Sequence, residues 1–191
     1  MKRFIVLSIV LLMLAGFAIT SSAMDVTLWA DQEIDVGTLT VAVSVSGDDL
    51  VVTYDITGSG WELLETHLYV GKTNPEDLTS APGQFPYSEE HDPAVLTVTY
   101  IIPISEIDSY SLRGGKKWVA ADDPGIGPGD EIYIAAQAEV RKPEINPDTG
   151  EQMVDPDTGE LIYQEETAWA EGDPIRPGKN WAMYFEFELE D

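Results

Sequence analysis

The chain of 191 residues has no cysteine, only 10 lysines and arginines against 35 aspartates and glutamates, and two histidines, His67 and His91. Without cysteine there is neither a disulfide framework nor a lipid-attachment site, so stability has to come from packing. The shortage of positive charge leaves a formal net charge of −25. A surface of that sign repels nucleic acid and anionic lipid, which disfavours both as partners. Catalytic and ligating patterns are equally sparse. There is no His-Glu-x-x-His, no close histidine pair, no twelve-residue EF-hand loop and no Gly-rich phosphate loop following a strand. No window has the periodicity of a long amphipathic helix.

The sequence opens with Met1-Lys2-Arg3, an apolar run from Phe4 to Ile19, and the small residues Ser21, Ser22 and Ala23. A basic start, a short apolar stretch and small residues before the break are the parts of a secretory signal peptide. The run is shorter than the roughly 20 residues that span a bilayer as a helix. Cleavage after Ala23 is therefore the expectation, with export and no membrane attachment thereafter. The remainder, 24–191, is within the usual size of one domain with one core.

From there the pattern has a period of two. Leu39, Val41, Val43 and Val45 alternate with Thr40, Ala42, Ser44 and Ser46. After the turn at Gly47-Asp48-Asp49, Leu50, Val52, Tyr54 and Ile56 do the same, which predicts an antiparallel hairpin. The same reading applies to Leu96–Ile104, to Ile132–Val140, and to a last strand whose apolar face is Trp181, Met183, Phe185, Phe187 and Leu189. Weaker segments at 26–30, 61–70 and 161–169 bring the total to about eight strands. Short turns of helix are expected near Asn74-Pro75 and within 105–112. One dry and one wet face per strand predicts an all-β, two-sheet antiparallel β-sandwich of immunoglobulin-like or jelly-roll topology. Asn146-Pro147-Asp148-Thr149-Gly150 recurs nine residues later as Asp155-Pro156-Asp157-Thr158-Gly159. Proline to start a turn and glycine to accept positive φ predict two successive turns, forming an arm near 143–163.

Excess acid fits either a saline habitat or counter-ion binding, and calcium, which takes hard oxygen ligands from loops, is the extracellular candidate. The ligands singled out are Glu89, Glu90 and Asp92 in the polar loop Gly83–Asp92, Asp122, Asp123 and Asp130 in a Gly/Pro-rich loop, and Asp155 and Asp157 in the arm. If the loop folds over the strand carrying His67, then His67 and His91 meet as ligand contacts. Ser88 near His91 is the one nucleophile and base pairing in reach, and it lacks a nucleophile-elbow frame. Five tryptophans, Trp29, Trp61, Trp118, Trp169 and Trp181, offer flat faces for a glycan. Trp118, beside Lys116 and Lys117, is the expected exposed contact, and Trp181 is expected in the core.

Glu65–Val70, Gly83–Asp92, Thr167–Gly172 and Gly178–Ala182 together resemble a group of secreted all-β modules of bacteria and archaea that share no agreed activity. The similarity runs from about Val26 to Leu189. It implies export and a sandwich, and it implies that segments holding both histidines, Trp169 and Trp181 gather at one end of the fold. The resulting expectation is a secreted, acidic, non-enzymatic surface module acting by binding or assembly, with calcium as ligand. The alternatives are a carbohydrate-binding module and a small hydrolase on the same scaffold. Its partner is then a glycan, a surface protein or another copy of the chain.

Overall fold

In the computed structural model the described residues are 23–77, 80–107, 110–112, 118–120, 126–127 and 129–189, with only the backbone described for 77, 110–112 and 118–120. The strands are β1 (Met24–Ala30), β2 (Ile34–Val43), β3 (Asp49–Asp55), β4 (Glu62–Gly71), β5 (Tyr87–Val95), β6 (Thr97–Pro103), β7 (Tyr110–Leu112), β8 (Trp118–Ala120), β9 (Glu131–Pro143), β10 (Tyr163–Ala170), β11 (Asp173–Pro174) and β12 (Met183–Glu188). Single 3-10 turns occur at Pro75–Asp77, Pro82–Gln84 and Ile104–Glu106. The first is capped by Asn74, whose Oδ1 accepts from Glu76 N at 2.8 Å.

The all-β, antiparallel expectation holds. The division into two sheets does not appear in the hydrogen bonding, which joins ten strands into one sheet. Following the ladders gives β5-β4-β9-β10-β1-β2-β3-β6, and β12 takes the start of β9, which β10 leaves unpaired. Strands β7 and β8 pair only with each other among the described residues. The two ends of the path, β5 and β6, are consecutive in sequence, so the sheet curls nearly to closure. Side-chain links join the two sides, among them the following. Buried Tyr54 on β3 donates to the His67 carbonyl of β4 at 2.9 Å, and Thr66 Oγ1 of β4 lies 2.7 Å from the Tyr100 hydroxyl of β6.

The core inside the curl is the alternating set. Leu39, Val41, Leu50, Val52, Tyr54, Ile132, Ile134, Ala136, Ala138 and Val140 are all fully buried. The last strand departs from its expected face. Phe187 and Leu189 join this core, but Tyr184 and Ala182 belong to a second cluster outside the sheet, which Trp181 and Met183 flank. That cluster also holds Tyr69, Phe85, Ala135, Trp169 and Ile175. It forms because segments near Phe85 and Ile175 cover the outer face of β4 and β9. This explains the apolar runs Leu68-Tyr69-Val70 and Ile134-Ala135-Ala136, since a strand covered on both faces loses its alternation.

The repeated turns form as predicted. Asn146 Oδ1 accepts from Asp148 N and Thr149 N, Asp155 Oδ1 accepts from Asp157 N and Thr158 N, and Gly150 and Gly159 take φ of 72° and 77°. The nine-residue period has a further consequence. Met153 N donates to Glu144 O, Ile162 N to Met153 O, and Glu144 N to Ile162 O, a closed ring of three backbone bonds at the arm's base. The N–H groups of Thr158 and Asp157 hold the Asp155 carboxyl below the usual aspartate range.

Burial, reinforced by neighbouring Tyr100, holds the Tyr54 phenol well above the ordinary tyrosine value. Burial raises Tyr100 as well. An unfolded tyrosine ionises near pH 10, so above that point the unfolded chain loses protons that the folded chain keeps. Stability is therefore full below about pH 10 and falls as the pH rises through the folded-state values. Urea unfolding between about pH 9 and 11 is expected to show this decline, with a shallower slope for Tyr54→Phe. Equal slopes would contradict it.

Candidate functional site

The register aligns outward side chains of five strands into two rows. One runs Ser88, His67, Gln137, Trp169, Trp29 across β5, β4, β9, β10 and β1. The other runs Glu90, Glu65, Glu139, Thr167. Three carboxylates thus stand side by side on adjacent strands, an arrangement that like-charge repulsion disfavours. Polar neighbours offset part of this. His67 Nε2 lies 2.9 Å from Glu65 Oε1, Gln137 Nε2 donates to Glu139 Oε1 at 2.7 Å, and the Thr167 hydroxyl is 3.2 Å from both Glu139 oxygens.

Above the second row is a groove of about 350 Å³ lined by Leu64, Glu65, Glu90, His91, Asp92, Glu139 and Glu165. Among the described residues no lysine or arginine pairs with any of its five carboxylates. Arg141, opposite Glu165 in the ladder, is held by Glu62 at 3.1 Å and lies over the Tyr163 ring at 4.3 Å. Beside the groove, two buried polar atoms have no hydrogen-bond partner among the described residues: Gln137 Oε1, on a residue 1% exposed, and His67 Nδ1, on one 8% exposed. Among the described residues no three His, Asp or Glu side chains stand close enough together to hold a metal ion.

The structure brings Glu90, Asp92 and both histidines to this place, but not as a loop. The stretch expected as a loop is strand β5 from Tyr87 onward, paired to β4. His91 Nε2 lies 3.1 Å from Thr66 Oγ1, and His67 is the next residue along β4, so each imidazole already has a side-chain neighbour. Glu89 is exposed and absent from the groove lining, since alternation turns it away from Glu90. Ser88 is opposite His67 and is absent from the groove lining that holds His91. Asp130 is elsewhere, accepting from Gly127 N at 3.0 Å and lying 3.9 Å from Lys72 Nζ, about 30 Å along β9 from Glu139. Asp155 and Asp157 lie in the arm, where the Asp155 carboxylate accepts from Asp157 N and Thr158 N. Asp122 and Asp123 lie outside the described residues, as does the side chain of Trp118.

The sequence reading missed Glu139, Gln137 and Glu165. Acid is too common here to mark them, although the outward alternation of β9 placed Gln137 and Glu139 on the correct face. The four segments that carried the family resemblance do meet. The Tyr69 and Phe85 rings are 6.2 Å apart, Phe85 and Trp169 6.2 Å, and Trp169 and Trp181 6.5 Å. They gather on the outer face of the sheet. No family model, curated protein or solved structure matches the chain.

Proposed function

We propose that the protein is a secreted, non-enzymatic binding module whose acidic groove takes a divalent cation, with calcium favoured by the five carboxylates that line it. The observation that carries this reading is the groove itself: five carboxylates on one patch with no lysine or arginine partner among the described residues, next to a buried amide oxygen that lacks a donor there. Calcium accepts about six to eight oxygens in flexible geometry, so the exposed Glu90 and Asp92 side chains close on it by rotamer change. Bound cation relieves the repulsion along Glu90, Glu65 and Glu139. Export is supported by the leader-like start and by β1 beginning at Met24, one residue beyond the expected cleavage point.

Calorimetric titration of the mature chain tests the groove. One saturable calcium site is expected, weakened at least about tenfold in the Glu90→Gln/Asp92→Asn double variant, equivalent to about 1.4 kcal/mol. Equal binding by wild type and variant would remove the groove as the site. Stabilisation by any salt alike would reduce the acidity to a screened surface.

A further inference from the structure

A second concavity lies at the opposite end of the row that holds His67. It is an open cleft of about 520 Å³ lined by Trp29, Gln32, Glu171, Gly172, Pro174, Asn180, Trp181 and Met183. Trp29 and Trp181 are both half-buried. Trp29 is held in orientation by its Nε1–H, which donates to Glu171 Oε2 at 3.1 Å, and among the described residues no aromatic ring packs on it. Trp181 is supported by the edge-to-face contact with Trp169. Gln32, Glu171 and Asn180, exposed at the rim, provide planar amide and carboxylate groups.

The backbone adds an independent observation. Asp31 and Gln32 are the only described non-glycine residues with positive φ, at 46° and 66°. They form the tight turn between β1 and β2, closed by Glu33 N donating to Ala30 O at 3.2 Å. Two positive-φ residues make this a type I′ turn, where glycine is the unstrained choice at the second position. Glutamine there is strained, and its side chain lines the cleft. Strain at a non-glycine residue is found where a side chain has a task.

We infer that the cleft between Trp29 and Trp181 binds a neutral, pyranose-containing glycan. A sugar ring has an apolar face of C–H groups that packs on an indole and a rim of hydroxyls that pair with planar amides and carboxylates. The Trp29–Glu171 bond fixes the platform before binding, which lowers the ordering cost. The sign of the ligand follows from charge: Glu171 in the cleft and the net −25 of the chain repel sulfated, sialylated or uronic-acid glycans. This site is separate from the acidic groove and does not depend on it.

The test is titration of the mature chain, with tryptophan fluorescence as readout, against neutral gluco-, manno- and galacto-configured oligosaccharides, their sulfated and sialylated counterparts, and a polyproline peptide. Saturable binding of a neutral oligosaccharide is expected, weakened about tenfold or more in Trp29→Ala and in Trp181→Ala. Gln32→Gly separates recognition from folding: it is expected to raise the melting temperature by about 2–4 °C while weakening the glycan several-fold. Failure of every neutral oligosaccharide to bind at millimolar concentration overturns the inference. So does retained affinity in Trp29→Ala, preference for the anionic set, or binding of the polyproline peptide alone.

Discussion

Gly37→Ala is expected to lower the melting temperature by about 6–12 °C, corresponding to a loss of about 3 kcal/mol. Gly37 has φ of 149°, and a Cβ there would lie 2.3 Å from Asp55 O and 2.8 Å from Ile56 Cα. Both obstacles are backbone, at the last residue of β3 and the one after it, so swinging a side chain aside cannot relieve them. The residue belongs to an irregularity in the β1–β2 ladder: Leu28 faces Gly37 but Trp29 faces Asp35, which leaves Val36 as the extra residue. A bulge re-aims the side chains beside it. The substitution is therefore expected to weaken glycan binding at Trp29 along with stability. Gly47→Ala is the control, because its Cβ meets nothing within 4 Å, and only the positive φ of 78° costs, at about 1 kcal/mol. Equal effects at the two glycines would contradict the close-approach argument.

Tyr54→Ala is expected to cost about 3–5 kcal/mol, the range for truncating a fully buried aromatic residue. Tyr54→Phe is expected to cost about 1 kcal/mol, the net value of one hydrogen bond. The difference has a structural origin. The ring fills the interior of the curled sheet and meets Tyr100 edge-on at 6.1 Å, while the hydroxyl alone ties β3 to the His67 carbonyl. Chemical denaturation of the three proteins measures both steps. A Phe variant as unstable as the Ala variant would mean that the strut, and not the packing, holds the sheet closed.

The strands that face the interior were legible because their alternation is clean, as in Leu39 to Val43 and Leu50 to Ile56. The failures have physical causes. Strand β5 reads as a loop because Ser88 to Asp92 is polar at every position, as a strand at the end of the sheet path can be. Trp181 reads as core because alternation from Met183 to Leu189 hides the second cluster, which buries Tyr184 and Ala182 on the other face. Alternation also fixes which side chains share a face and leaves open which strands join, so one curled sheet and two packed sheets look alike. The acidic groove depends on Glu65 meeting Glu139, a register between distant strands that no local pattern records. The meeting of Phe85, Trp169 and Trp181 was approached through the resemblance, while its position on the outer face was not.

The central claim, that the acidic patch is a cation site and not only a solvated surface, is most directly tested by thermal unfolding. The chain from Met24 onward is unfolded in chelator, then with calcium, magnesium or monovalent salt at matched ionic strength. A ligand held only by the folded state adds RT ln(1 + [L]/Kd), about 2.7 kcal/mol at hundredfold saturation, or about 5–11 °C for a domain of this size. The account predicts a rise of that order specific to calcium. An equal shift in all three salts at matched ionic strength would contradict it.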